Sequence, residues 1–339
     1  MGIYFGKSAT APEMRAQLAP LPKYGILVAM ETCVKKVVGA AAIAVAALMQ
    51  ADGGVSRSQE DGMDMMVLSN KYGSVTVSLM GAQIRSYRPA GMKEDVLFAP
   101  KTMAIDGTKH VHGGIPVCWP WFGRNGEPGS VSHGFARTSL FEVRRKTETE
   151  TDDATTLVLG LRPTDESRKV WPYDFDLEYT IRLGATLDLF LRTKNTDARP
   201  VKITEGLHPY WRVSDRRRVR VDGLDGCPYC FADVSQVADK TWKGTFVPDG
   251  HFDHVFTLGP RELTIADDGW GRTVTMRGEG YSKIVIWTPG PFKAGENENL
   301  DPADMLNFVC VEPATLFRPD AYTLAPGAEH VLSVSIAVR

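Results

Sequence analysis

Downstream of about Met65, apolar residues recur at every second position in one short run after another. "GSVTVSLMGAQIRSY", "TTLVLGLRP", "FDLEYTIRLG", "LDLFLRTKN", "VKITEGLHPYW", "RVRVDGL", "ELTIAD", "RTVTMRG", "KIVIWTP", "NFVCVEP" and "HVLSVSIAV" all show it. A period of two puts one side of each segment into a core, as in a half-buried strand. Gly, Pro, Asn and Asp punctuate the runs as turns do. No helical period a dozen residues long follows residue 60, and "DPADMLN" supports one short turn at most. Many strands without helices between them predict an all-β fold, a large antiparallel β-sandwich or barrel. With no repeat and no linker in view, residues 61–339 are expected to form one domain.

The first sixty residues break the pattern. Lys35 and Lys36 precede a thirteen-residue apolar run ending at Met49, and polar sequence follows. That run is short for a bilayer span but suits the apolar centre of a targeting signal. Residues 1–60 are therefore expected to be a leader or N-terminal extension, with 35–49 as the targeting segment. A soluble protein, cytoplasmic or organellar after leader removal, is the matching expectation.

Composition narrows the function. A chain of 339 residues with a formal net charge of -2 offers no broad basic footprint for nucleic acid and no polybasic membrane signal. The one dense basic run, "DRRRVR" from Asp215, lies in strand-like sequence and reads as a charged edge that discourages pairing with another chain. Five cysteines do not suggest a disulfide framework. Cys227 and Cys230 have redox spacing but lack the strand-then-helix context that lowers a thiol pKa. No Cys/His spacing matches a structural zinc site. Nucleophile-elbow, phosphate-loop and dinucleotide fingerprints are missing from the sequence as well.

Three stations carry candidate chemistry. Residues 110–138 hold three of the seven histidines, Trp119, Trp121, Arg124, Arg137 and six glycines. Such a stretch reads either as a turn-rich connection or as a pocket wall in which glycines permit close approach to a ligand. Glu205 and His208 interrupt a strand-like run. Glu312 ends four apolar residues, where a carboxyl must be paired or face a cavity. Desolvation would raise its pKa toward a range useful for proton transfer. Acid and base without nucleophile or metal point to isomerisation, elimination or hydrolysis, and Trp119, Trp121, Tyr210 and Trp211 would suit a sugar face.

"GGIPVCWPWFG", "HGFART", "EGLHPYWRV" and "VCVEPA", in that order, resemble the glucose-6-phosphate 1-epimerase family, within the aldose 1-epimerases. The resemblance covers about residues 65–339. It implies the supersandwich fold, with His208 and Glu312 as the catalytic pair and no metal or organic cofactor. It also implies substrate contacts from His133, Arg137, Asp253, Gln83, His112, Trp121 and Lys293. Glu312 would take the C1 hydroxyl proton while His208 protonates the ring oxygen. The implied partner is a small sugar or sugar phosphate, with no nucleic acid, no membrane span and a monomeric chain.

The departures lie in the phosphate shell. His112 stands where the family has an arginine, His254 follows Asp253 where an arginine is usual, and "WTPG" replaces Trp-Asn-Pro-Trp. Lys109 or Arg85 could compensate. Three readings stay open: a hexose-6-phosphate 1-epimerase, an epimerase of unphosphorylated sugars, and a carbohydrate-binding protein without turnover.

Overall fold

The computed structural model describes residues 54–60, 62–100, 112–124, 131–148, 154–231, 238, 240–257, 262–290, 300–316 and 320–339. The expected targeting segment, Lys109 and Lys293 lie outside them. Pairing begins earlier than expected. Gly54–Glu60 runs antiparallel to Met63–Asn70, so the folded unit includes residues assigned above to the extension. "GVSRSQE" has one large apolar residue and forms the edge of a four-stranded sheet, where one neighbour is missing and periodicity is weak. The sheet continues through Gly73–Ser78 and Ile84–Pro89, two strands with a turn inside a stretch that reads as one.

Two eight-stranded sheets make the body, an all-β antiparallel sandwich. One has the order Val219–Asp222, Glu262–Asp267, Arg272–Glu279, Glu329–Val338, Leu187–Asn195, Phe175–Leu183, Thr155–Leu161, Glu142–Glu148. Alternation is strict in Phe175–Leu183, where every second residue is buried. The arginine run sits at this sheet's edge as expected, with Arg217 paired to Asp215 and Arg220 to Asp268. Arg216 departs from it: it is buried and donates to the Gly250 carbonyl.

The other sheet has the order Lys240–Thr241, Pro228–Phe231, Phe252–Thr257, Lys283–Thr288, Phe308–Thr315, Glu205–Leu207, Val117–Cys118, and Tyr210–Arg212 also pairs with Phe308–Thr315. "VKITEGLHPYW" thus divides into three short strands, because Val201–Ile203 leaves to pair with Tyr322–Leu324. Val309 and Val311 share one apolar cluster with Leu177, Tyr179, Leu189, Leu191, Val334 and Ile336 of the first sheet. All eight residues of Phe308–Thr315 are buried, so the strand is covered on both faces. Its second face, away from the first sheet, carries Phe308, Cys310, Glu312 and Ala314. Helix is confined to Asp165–Val170, capped by Thr164 with Ser167, and three 3-10 turns among the described residues. None of the described helices is long and apolar enough to cross a membrane.

Candidate active site

Strand register builds this second face. Asp253 opposes Trp287, Trp287 opposes Cys310, and Cys310 opposes Tyr210. Opposed residues of antiparallel strands point the same way, so these four form one row. Glu312 belongs to the next row, opposite Val285. A third row joins Ala314 to Gly206 and Cys118. A Cβ on Gly206 would stand 2.7 Å from the Phe122 ring, so its missing side chain makes room for that ring.

His208 follows Glu205–Leu207, at the point where the chain leaves one short strand for the next. Its Nε2 lies 3.4 Å from Glu312 Oε1. Its ring stacks on Tyr210 at 4.9 Å and is edged by His133 at 5.5 Å and Trp287 at 6.3 Å. Glu312 is 1% exposed, and neither of its carboxyl oxygens accepts a hydrogen bond; His208 Nδ1 is likewise unbonded. Burial, then the charge of Asp253, pushes the Glu312 carboxyl well above the usual range. Burial, then the neighbouring His133, Arg137 and His112, holds the His208 imidazole well below its usual value. Each effect disfavours the charged form of its group.

The other candidates divide. His133 is close: its ring meets Phe122 at 4.7 Å, and its Nδ1 accepts the Gly123 N–H at 3.2 Å, which places the proton on Nε2. It has φ of 62°, a costly conformation for a residue with a Cβ, held by the reciprocal His133 N–H bond to the Gly123 carbonyl. Arg137, from the turn Ala136–Thr138, donates to the Ser132 carbonyl and adds positive potential at His208. His112 lies parallel to Trp287 at 6.3 Å. Asp253 reaches Glu312 electrostatically.

Gln83 and Trp121 occupy supporting positions. The Gln83 amide donates to the Gly113 carbonyl at 2.6 Å and pins the turn after His112. The Trp121 indole donates to the Val131 carbonyl at 2.9 Å, packs on Phe135 and belongs to the main core. Trp119 and Trp211 are buried in that core too, and their indoles bond Thr193 and the Val311 carbonyl. Of the four aromatics expected at a sugar face, only Tyr210 joins the rings around His208. Trp211 follows it in the strand and therefore points the other way. Phe122, Cys118 and Cys310 escaped the sequence reading. An i, i+2 count from Glu312 would have found Cys310.

At Gly114 the absent side chain serves the fold itself. A Cβ on Gly114 would lie 2.1 Å from the Ile84 carbonyl, so the close approach is to the chain itself. Arg85 lines a cavity of about 510 Å³ with Arg88, Asp95 and Arg212, and no member of the His208–Glu312 group is in its wall. Cys230 lies within a strand and Cys227 just before one, both buried, away from any helix N-terminus that would activate a thiol.

An antiparallel sandwich with a buried imidazole–carboxyl contact ringed by aromatic side chains has the two kinds of group that proton transfer needs. The sequence profile of the family described as aldose 1-epimerase matches residues 64–337, and the chain belongs to that family. It is accordingly an epimerase. Two relatives are named "Putative glucose-6-phosphate 1-epimerase". The Escherichia coli (strain K12) protein is 29% identical over 292 residues, 84% of this chain and 94% of that one. The Cenchrus ciliaris protein is 31% identical over 260 residues, 75% of this chain and 78% of its own length. A crystal structure described as a "putative mutarotase (YeaD)" from Salmonella typhimurium is 26% identical with a TM-score of 0.76, covering 85% of this chain and 95% of that one.

Proposed function

We propose that this epimerase interconverts the α and β anomers of a hexose 6-phosphate, glucose 6-phosphate first, with His208 and Glu312 as the proton-transfer pair. The observation that carries the chemistry is the 3.4 Å contact between His208 Nε2 and a buried Glu312 whose two oxygens accept no hydrogen bond. A carboxyl left without donors is costly unless a ligand brings them. Sugar hydroxyls are such donors.

The pair holds one exchangeable proton. Burial disfavours the ion pair, and hydrogen bonds from the sugar to the Glu312 oxygens would favour the form with the proton on His208. Glu312 then takes the proton of the C1 hydroxyl while His208 gives its proton to the ring oxygen, and the C1–O5 bond breaks. The open aldehyde turns about C1–C2. The C5 hydroxyl attacks the opposite face of C1, returning its proton to His208, and the carbonyl oxygen recovers one from Glu312. Protons balance over the cycle, and each positioned transfer is worth about 10²–10⁴-fold.

His133, Arg137, Asp253 and His112 are assigned to substrate binding. Gln83 and Trp121 are assigned to holding the segments that carry His112 and His133, and Lys293 retains the binding role that the family resemblance implies. Support for the 6-phosphate comes from the names of the relatives and from the cationic surroundings that Arg137 and His112 give His208. One observation favours unphosphorylated sugars instead. His112 replaces a guanidinium, and its ring lies flat beside Trp287. Anomer exchange followed by NMR from freshly dissolved α-glucose 6-phosphate and α-glucose separates the two. Acceleration of the ester alone supports the proposal; acceleration of free glucose alone overturns its substrate, and acceleration of neither sugar counts against both assignments.

A further inference from the structure

The face that presents Glu312 also presents a thiol two residues earlier in the strand. Cys310 and Glu312 lie on one side of Phe308–Thr315, and His208 comes from the chain paired against it. Ligand atoms from the three side chains all fall within 4.8 Å of one another. We propose that His208, Cys310 and Glu312 form a three-ligand site for a borderline divalent cation such as Zn²⁺, and that the ion bound there blocks the sugar.

Donor type supports it first. Imidazole, thiolate and carboxylate are the three groups Zn²⁺ takes, at about 2.0–2.3 Å, which sets ligand atoms ~3.3–3.7 Å apart in a tetrahedron. The His208–Glu312 separation of 3.4 Å is already in that range. Softness excludes the commoner hard ions: Mg²⁺ and Ca²⁺ prefer sets built of oxygens. Charge supports it second: two anionic ligands, a thiolate and a carboxylate, would balance the two positive charges of the ion inside a buried site, which avoids the cost of an unbalanced interior charge. Unbonded His208 Nδ1 and both Glu312 oxygens mean that no existing hydrogen bond to those atoms is broken.

The consequence for catalysis rests on the acid–base assignment above, because the ion occupies the proton-transfer pair. Metal binding itself does not depend on that assignment. The experiment uses the full chain, reduced and stripped of metal, titrated with Cd²⁺ as a thiolate reporter and then with Zn²⁺ by calorimetry. One equivalent of Cd²⁺ is expected to raise a thiolate-to-metal charge-transfer band in the ultraviolet with release of protons, and excess Zn²⁺ to displace it with no further release. Cys310→Ser is expected to lose the band and weaken Zn²⁺ about tenfold or more, while Cys227→Ala keeps both. A wild-type chain without the band, or a band that survives in Cys310→Ser, overturns the proposal. Should Cys310→Ser fail to fold, Glu312→Gln gives the same reading by weakening Zn²⁺ binding while the band persists; unchanged Zn²⁺ affinity there also overturns it. Anomer exchange by the stripped chain is measured separately. Activity without metal binding defeats this inference alone, and metal binding without activity defeats the assigned function alone.

Discussion

Two carboxyl–imidazole contacts lie on opposite faces of the same sheet, and they differ in surroundings more than in distance. Glu312 faces away from the first sheet and meets His208 at 3.4 Å; Glu205 faces into the sandwich and meets His330 at 3.2 Å. Burial is the leading cause of a raised pKa for both carboxyls. Yet Glu205 is held by its neighbours. Thr193 Oγ1 donates to it at 3.3 Å after accepting the Trp119 indole at 2.9 Å, and His330 Nε2 is 2.9 Å from the Gly280 carbonyl. Thr193 and His330 both belong to the opposing sheet, so this node ties the two layers together. Glu312 has no such donors. A perturbed pKa marks both pairs; Glu205 accepts a hydrogen bond at one oxygen and none at the other, whereas Glu312 accepts none at either, and that difference supports the site proposed at Glu312.

The sharpest way to break the comparison is to remove one proton carrier at a time. His208→Ala and Glu312→Gln are each expected to lower kcat/KM for anomer exchange by about 10²–10⁴-fold, with thermal unfolding still cooperative. Turnover near wild type in either variant, measured by NMR, would remove that residue from the mechanism. Glu205→Gln is expected to stay within about twofold of wild-type kcat/KM, a change worth well under 1.4 kcal/mol.

Stability should respond to Glu205 even where catalysis does not. Burial pushes Glu205 up to about 8, from an ordinary value of 4.5. The folded chain keeps a proton that the unfolded chain gives up above that ordinary value. The associated stability is complete below it and is lost as pH rises toward 8, at roughly 1.4 kcal/mol per pH unit. Glutamine has no proton to lose. The melting temperature of Glu205→Gln relative to wild type should therefore climb from pH 5 to pH 8, by scanning calorimetry at matched ionic strength. A flat or falling difference would show Glu205 ionised and paired with a charged His330.

The two faces were unequally legible in the sequence. Strands such as Phe175–Leu183 and Glu262–Asp267 have one buried face, and strict alternation locates them within a residue or two. Glu142–Glu148, reading "EVRRKTE", is an edge strand with little apolar character, and periodicity gave no hint of it. Phe308–Thr315 was legible for the opposite reason. A carboxyl after an unbroken apolar run has to be matched by something, and the structure brings His208 beside it. Alternation separates Trp211 from Tyr210, but nothing local could show which of the two faces the core, because the division of "VKITEGLHPYW" into three strands depends on Tyr322–Leu324 far along the chain. Which glutamate gains a donor was closed to sequence for the same reason, since Thr193 and His330 come from separate strands of the other sheet.

A smaller effect tests how far the site extends beyond its proton carriers. Exchanging His112 for arginine restores the guanidinium that the family resemblance expects there. An arginine fork donates up to five hydrogen bonds and stays charged, whereas a histidine offers two donors at most and loses its charge near pH 6.5. With His112 6.3 Å from Trp287, and Trp287 in the same row as Asp253, the new side chain would enter the wall beside the pair without touching it. His112→Arg is expected to lower KM for glucose 6-phosphate by about three- to tenfold, 0.7–1.4 kcal/mol of added charge-assisted hydrogen bonding, with kcat little changed. For free glucose KM should not move. A gain for both sugars would mean that position 112 touches the hexose ring, and a gain for neither would place the phosphate at another part of the wall.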